Sequence, residues 1–267
     1  MKKILGAIAA LAMTVGLAAC GTPVSQGTAN QNQLVVGMEA GYPPFNWTQK
    51  DDSNGAVKIQ GTDQYAGGYD VEIAKRVAKQ LGKELVIVKT EWDGLTPALV
   101  SGKIDAIIAG MSPTEERKAT IDFTDSYYDS QLVLVVKKGS KYANATSLAD
   151  FAGAKVTAQL NTFHYSVIDQ ITGVDKQAAM DNFPAMRVAL QAGTIDAYVS
   201  ELPEAISAQA ANSDFVMVKL TDGFKTSPED TQTAVGVKKD STLTKQINEA
   251  LKTISSEERQ QIMQEAI

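Results

Sequence analysis

The sequence predicts an α/β protein made of two similar lobes with largely parallel sheets. Two observations carry that prediction. Short β-branched runs alternate with helical patterns from Leu34 to the end of the chain, which is the signature of strands joined by crossover helices. A segment also recurs: "ALVSGKIDAII" beginning at Ala98 matches "ALQAGTIDAYV" beginning at Ala189. Each copy reads as the end of a helix, a glycine stop and a buried strand.

The chain opens "MKKILGAIAALAMTVGLAACG". Two lysines, a short apolar run ending in small residues and a cleavage point predict a secretory signal over 1–19 rather than a spanning helix. The following residues, 20–33, are polar, small and uncharged, the composition of a flexible tether. Cys20 is the only cysteine in the sequence, so no internal disulfide can form. Loss of Lys2 and Lys3 with the signal takes the formal net charge from −6 to −8. Basic residues are scattered and outnumbered, which argues against a nucleic-acid surface. No second apolar run approaches membrane-spanning length.

Within the folded part, "QLVVGME" reads as the first strand. "NWTQKDDSNGAVKIQGTDQYAGG" contains an Asn-Gly pair among alternating residues and predicts a hairpin excursion. "YDVEIAKRVAKQLG" predicts an amphipathic helix with Asp70 as N-cap, Val71, Ala74, Val77, Ala78 and Leu81 on one face, and Gly82 as its stop. "ELVIVKT" is the next strand. The stretches "YYDSQLVLVVKKGS" and "GFKTSPEDTQTAVGVKKDS" read as two extended crossings between lobes, and the last 26 residues as helices returning to the first lobe. The expected boundaries are 34–128 with 230–267 for one lobe and 132–226 for the other.

Ligands of open α/β sheets bind beyond the carboxyl ends of the strands. The first repeat runs off its strand into Ala109, Gly110, Met111 and Ser112, and the second into Ser200, Glu201 and Leu202. These two ends are expected to face one another across a cleft.

"GYPPFNW", "GGYDVEIAKRVAKQLG", "WDGLTPALVSGKIDAIIAGMSPTEERKATIDFTDSYY" and "LQAGTIDAYVSELPEA" together resemble the extracellular solute-binding proteins of family 3. These are the receptors of ABC importers that bind polar and basic amino acids. The resemblance spans the whole domain after the tether and implies a type II periplasmic-binding-protein fold, two α/β lobes joined by two crossing segments. It also implies no cofactor and no catalysis, and partners comprising a free L-amino acid, an ABC permease and its ATPase subunit. "LAAC" resembles a lipobox, which implies a lipid on Cys20 and a lipoprotein anchored to the outer face of the bacterial cell membrane; the receptor is expected to be a monomer.

Ser112 with Glu115 fits a capping box, with Pro113 at the first helical position. Amides at a helix N-terminus favour an anion, and Arg117 one turn in can present a planar fork to a carboxylate. In the family the serine and arginine at these positions hold the ligand's α-carboxylate, helped by backbone at the positions of Ala109 and Gly110. Glu201 stands where the family places an acidic residue, often aspartate, for the α-ammonium. Tyr42 and Trp92 resemble the pair that sandwiches the ligand side chain, an arrangement suited to a guanidinium or a lysine stem. Phe45 and Trp47 read as packing residues. Glu39 is placed to receive a cationic side-chain end, which favours arginine, then lysine, histidine or glutamine. In "AQLNTFHYS" the chain departs from the family's Gly-Thr-Thr run. Asn161 and Thr162 can still supply backbone and hydroxyl contacts, whereas Phe163 and His164 leave the side-chain specificity open. A dehydratase on the same fold is the alternative, with Glu39 or Glu201 as acid or base.

Overall fold

A computed structural model describes residues 31–267. The expected signal segment, Cys20 and nearly all of the tether lie outside the described residues. Two five-stranded sheets form the two lobes. In the first, the strands run Glu84–Lys89, Gln33–Met38, Ala106–Ile107, Gln232–Val237, Asp122–Asp129; the first three are parallel and the last two antiparallel. In the second, the order is Asp175–Lys176, Lys155–Thr157, Ala197–Glu201, Leu132–Lys137, Phe215–Val218, with the same change from parallel to antiparallel.

The repeat is the reason the two sheets look alike. Helix Trp92–Ser101 ends on Gly102 at φ 80°, and helix Phe183–Ala192 ends on Gly193 at φ 74°. That left-handed turn is one glycine adopts without a Cβ penalty. After each turn an aspartate locks the coming strand to its neighbour. Asp105 accepts the Val35 amide and Asp196 the Lys155 amide, both at 2.9 Å. The strands Ala106–Ile107 and Ala197–Glu201 then pair in parallel with Gln33–Met38 and Lys155–Thr157.

The excursion of residues 46–68 folds against Gly41–Tyr42 as a small antiparallel sheet in the order Gly41–Tyr42, Asn46–Gln49, Tyr65–Gly67, Val57–Lys58. Its turn places Asn54 and Gly55 at φ 55° and 75°, as the Asn-Gly pair anticipates. Strand Leu132–Lys137 crosses into the second lobe after only Ser130 and Gln131. Its side chains alternate, Val133 and Val135 facing one core and Leu134 and Val136 the other, as strand pleating requires.

Three local expectations are corrected. Helix Tyr69–Gln80 is capped by Gly68, and Asp70 is buried inside its first turn rather than capping it. There Asp70 accepts from the Tyr127 hydroxyl and the Asn46 amide, each at 2.7 Å. The helix bearing Arg117 is the single turn Glu115–Lys118 with Thr114 as N-cap, so Ser112 and Pro113 precede it. The second crossing is not wholly extended: Ser227 and Asp230 form a capping box around the turn Pro228–Thr231.

Candidate functional site

The two strand ends meet. Between them lies a small cavity of about 10 Å³, lined from one lobe by Tyr42, Trp92, Gly110, Ser112 and Arg117 and from the other by Gln159, Thr162, His164, Phe183 and Glu201. That is room for one water at most, so the lobes are closed on their own side chains. Outward the cleft widens to a groove of about 730 Å³ that Trp92, Asp93, Arg117, Asn161 and Phe163 also line.

Arg117 folds back from its single turn. Its Nη1 donates to the Ser112 carbonyl at 2.8 Å and its Nη2 to the Asn161 carbonyl across the cleft at 3.2 Å. Its guanidinium carbon lies 5.1 Å from the centre of the Trp92 ring. Burial pulls its pKa down to about 10, with Glu116 the largest opposing influence, so the group stays charged near neutrality. Both of its hydrogen bonds go to neutral carbonyls. A guanidinium held in this way retains its full charge for an incoming anion.

Glu201 is 1% exposed and ends its strand as the N-cap position of helix Leu202–Ala211. Its Oε1 lies 3.2 Å from His164 Nε2, and its Oε2 is buried with no hydrogen-bond partner. The Tyr42 hydroxyl is likewise buried without a well-formed hydrogen bond, although the Glu201 carboxylate lies near enough to act on it. Burial first, and the Glu201 and Glu204 carboxylates next, push that phenol well above its ordinary pKa. Buried polar atoms without partners are costly, and here they cluster on the cavity wall.

Glu39 is buried, and Gln159 from the second lobe donates to it at 3.2 Å. Burial raises its pKa to about 7 against the opposing Gln159 bond, with Glu91 adding to the rise. Tyr42 stacks on Phe45 at 4.8 Å and on Phe183 at 4.4 Å. Its ring and that of Trp92 line one cavity, but in this closed form the faces are covered by Phe45, Phe183 and Arg117 rather than flanking an open slot. Gly110, at φ 62°, has its amide taken by the Tyr127 hydroxyl at 3.1 Å. A Cβ there would come within 2.7 Å of the Tyr42 ring. Ala109 is buried beside it, and the Ser112 hydroxyl donates to the Asp230 carbonyl at 3.0 Å.

Asn161 bridges the lobes. At φ 55° its carbonyl also accepts from the Trp92 indole at 3.4 Å, and its side-chain amide donates to Asp93 at 2.8 Å. The Thr162 hydroxyl donates to the Gln159 carbonyl at 2.7 Å and remains able to accept. Gln159 and Phe183 were not singled out in the sequence. A lone buried glutamine and an apolar residue after a helix cap carry no signal until the lobes are brought together.

The chain belongs to the bacterial extracellular solute-binding proteins, family 3, whose pattern matches residues 34–266. It is 30% identical over 254 residues to the arginine-binding extracellular protein ArtP of Bacillus subtilis, covering 94% of this chain and 92% of that one. It is 32% identical over 229 residues to a probable histidine-binding protein of Campylobacter jejuni, covering 84% and 83%. Among solved structures it is similar to an amino acid ABC transporter substrate-binding protein, AbpA, of Streptococcus pneumoniae bound to L-arginine. The TM-score is 0.75 at 27% identity, over 88% of this chain and 94% of that one. Among the described residues no helix is long and apolar enough to cross a membrane.

Proposed function

We propose that this protein is the receptor of an ABC amino-acid importer, closing its lobes on a free L-amino acid with arginine favoured, then lysine, histidine or glutamine. The carrying observation is the pairing of Arg117, a cation bonded to neutral carbonyls, with Glu201, a carboxylate with an unpartnered oxygen, on opposite walls of one cavity. Such a pair complements the two backbone charges of an amino acid. Ser112, Ala109, Gly110, Asn161 and Thr162 frame the carboxylate end, and Tyr42 and Trp92 enclose the side chain. Glu39 meets a cationic terminus once Gln159 releases it.

The lobes, 34–128 with 230–267 and 132–226, open and close at the two crossings. The receptor acts as a monomer, is exported, is held on the outer membrane face by a lipid on Cys20, and hands its ligand to a permease driven by an ATPase. This reading involves no catalysis and no cofactor. Calorimetry of purified protein, unfolded and refolded to strip carried-over ligand, against the standard amino acids tests it. One-to-one binding of arginine or lysine is expected. Binding of glutamine alone would overturn the cationic pocket, and silence toward every amino acid would overturn the receptor.

A further inference from the structure

His164 is the one histidine of the sequence, and it is 5% exposed in the first turn of helix Phe163–Val167. Its Nε2 meets Glu201 Oε1 at 3.2 Å, while its Nδ1 and Glu201 Oε2 are both buried without partners. The ring is fixed on two sides. Phe163 lies 4.5 Å away at a tilt of 55°, and Phe183 meets it edge-on at 6.4 Å. The imidazole therefore has little freedom to leave the carboxylate.

We infer that His164 is a positioning residue of the amino-acid site, holding Glu201 by one oxygen so that the other is offered to the ligand's ammonium. The inference rests on the receptor reading above. A neutral imidazole with its proton on Nε2 donates to Oε1, orients the carboxylate and leaves its negative charge for the ammonium. An imidazolium makes a charge-assisted bond to the same oxygen and cancels that charge. Ammonium and imidazolium therefore compete for one carboxylate. When the ammonium settles on Oε2, the imidazolium gives its Nδ1 proton to solvent, and the Nε2–H bond to Oε1 is kept.

The charged surroundings leave this competition local. From the first lobe the cavity presents Arg117, the neutral Tyr42 phenol beside Glu201 and, behind Tyr127, the buried Asp70, whose charge and that of Glu201 repel; none of these changes in His164→Gln. In the second lobe Glu204 near Glu201 is already neutralised by Arg187 at 2.7 Å and held by Ser200. Gln159 is uncharged and engaged with Glu39. Glu201 is thus the carboxylate that both cations must share.

The test uses untagged protein and L-arginine as probe, with the remaining amino acids if arginine is silent. Affinity is measured between pH 5.5 and 7.5, and proton release on binding is counted from calorimetry in two buffers of different ionisation heat. One linked proton changes affinity by up to about tenfold per pH unit. Wild type is expected to release protons on binding and to weaken in acid. His164→Gln, whose amide can still donate to Oε1, is expected to bind at pH 7.5 within about threefold of wild type and to show a shallower pH slope and less proton release. Glu39 contributes its own slope to both proteins, so the difference between them is what counts. The imidazole resonances of the single histidine supply a readout that needs no variant: saturating ligand should move their titration midpoint to lower pH. Equal slopes and proton counts in the two proteins, or a histidine midpoint unmoved by ligand, would overturn the inference while leaving the receptor intact. No binding of any amino acid by wild type would overturn both.

Discussion

Arg117 has the simplest consequences of any residue in the cleft. Its guanidinium already makes one bond within its lobe and one across the cleft, so on the proposed reading its loss removes both a ligand anchor and a closure contact. Arg117→Ala is expected to cost about 2 to 5 kcal/mol of binding, because a buried ligand carboxylate would be left without its partner. Arg117→Lys should recover only part of that, since an ammonium cannot make the two parallel bonds of the fork. Calorimetry at fixed pH separates these outcomes, and an unchanged affinity in the alanine variant would sink the carboxylate assignment. Glu39 has the opposite character, costing stability at a position where the proposed reading gives it a ligand contact. Its pKa in the folded protein is about 7 against an ordinary 4.5, so the fold favours the protonated form. The stability this represents is present below the ordinary value and is lost as pH rises through 7, a difference on the order of 3 kcal/mol. Glu39→Gln should therefore melt at higher temperature than wild type at pH 8, with the gap closing toward pH 4.5, while binding cationic amino acids at least about tenfold more weakly. Asp70, raised by burial to about 6, has the same sign and accounts for pH dependence left between about 4 and 6 in that variant.

Asn161 and the helices on either side of it carry the argument to the level of elements. The Asp93 carboxylate sits in the first turn of helix Trp92–Ser101, and Asn161 sits just before helix Phe163–Val167, so their bond ties one helix start to another across the cleft. Asp93→Ala removes a closure contact without touching the cavity wall. The closed form should lose about 0.5 to 1.5 kcal/mol, and apparent affinity should fall by the corresponding few-fold factor through faster ligand release. Stopped-flow fluorescence reads this directly, because Trp92 is one of only two tryptophans and its indole donates across the same gap. An unchanged release rate would mean that the bond forms without bearing on closure. The repeated Gly-x-Ile-Asp-Ala was legible in sequence because glycine turn, aspartate lock and strand are local features read at fixed spacing. Gln159 on Glu39, and Phe183 on Tyr42, were not, because each joins residues more than a hundred positions apart. The misplaced cap has a similar cause. Ser112, Pro113 and Thr114 all suit a helix start, and the choice of Thr114 follows from Ser112 being drawn to the Asp230 carbonyl of the second crossing. Asp70 matched a cap by residue type, but the Tyr127 hydroxyl and Asn46 drew it inward.

At the scale of the whole molecule, the proposed opening and closing would be coupled to the charge on Glu39. The groups that face it from the second lobe are Gln159 and Asp181, the one donating to it and the other a like charge. Closing therefore adds burial, the largest influence on it, and the smaller one of Asp181, both favouring the protonated acid against the opposing Gln159 bond, whereas opening returns water to it. A closed state that holds a proton more tightly than the open state is favoured by acid and released by base. The motion has a place to occur. The first crossing is only Ser130 and Gln131, and the Ser130 amide donates to the Thr231 carbonyl at 2.9 Å, tying it to the longer second crossing. The ligand-free protein is thus expected to be more compact at pH 5 than at pH 8. Its radius of gyration by small-angle scattering should rise as the pH passes through 7. Glu39→Gln should flatten that curve, because the amide carries no charge to desolvate. A cationic amino acid at pH 8 should restore the compact form in wild type by pairing with the ionised carboxylate, and one with an uncharged side chain should do so less well. A wild-type radius that is constant from pH 5 to 8 without ligand would mean that Glu39 is equally buried in both states, and that closure is governed by Arg117, Asn161 and the ligand alone.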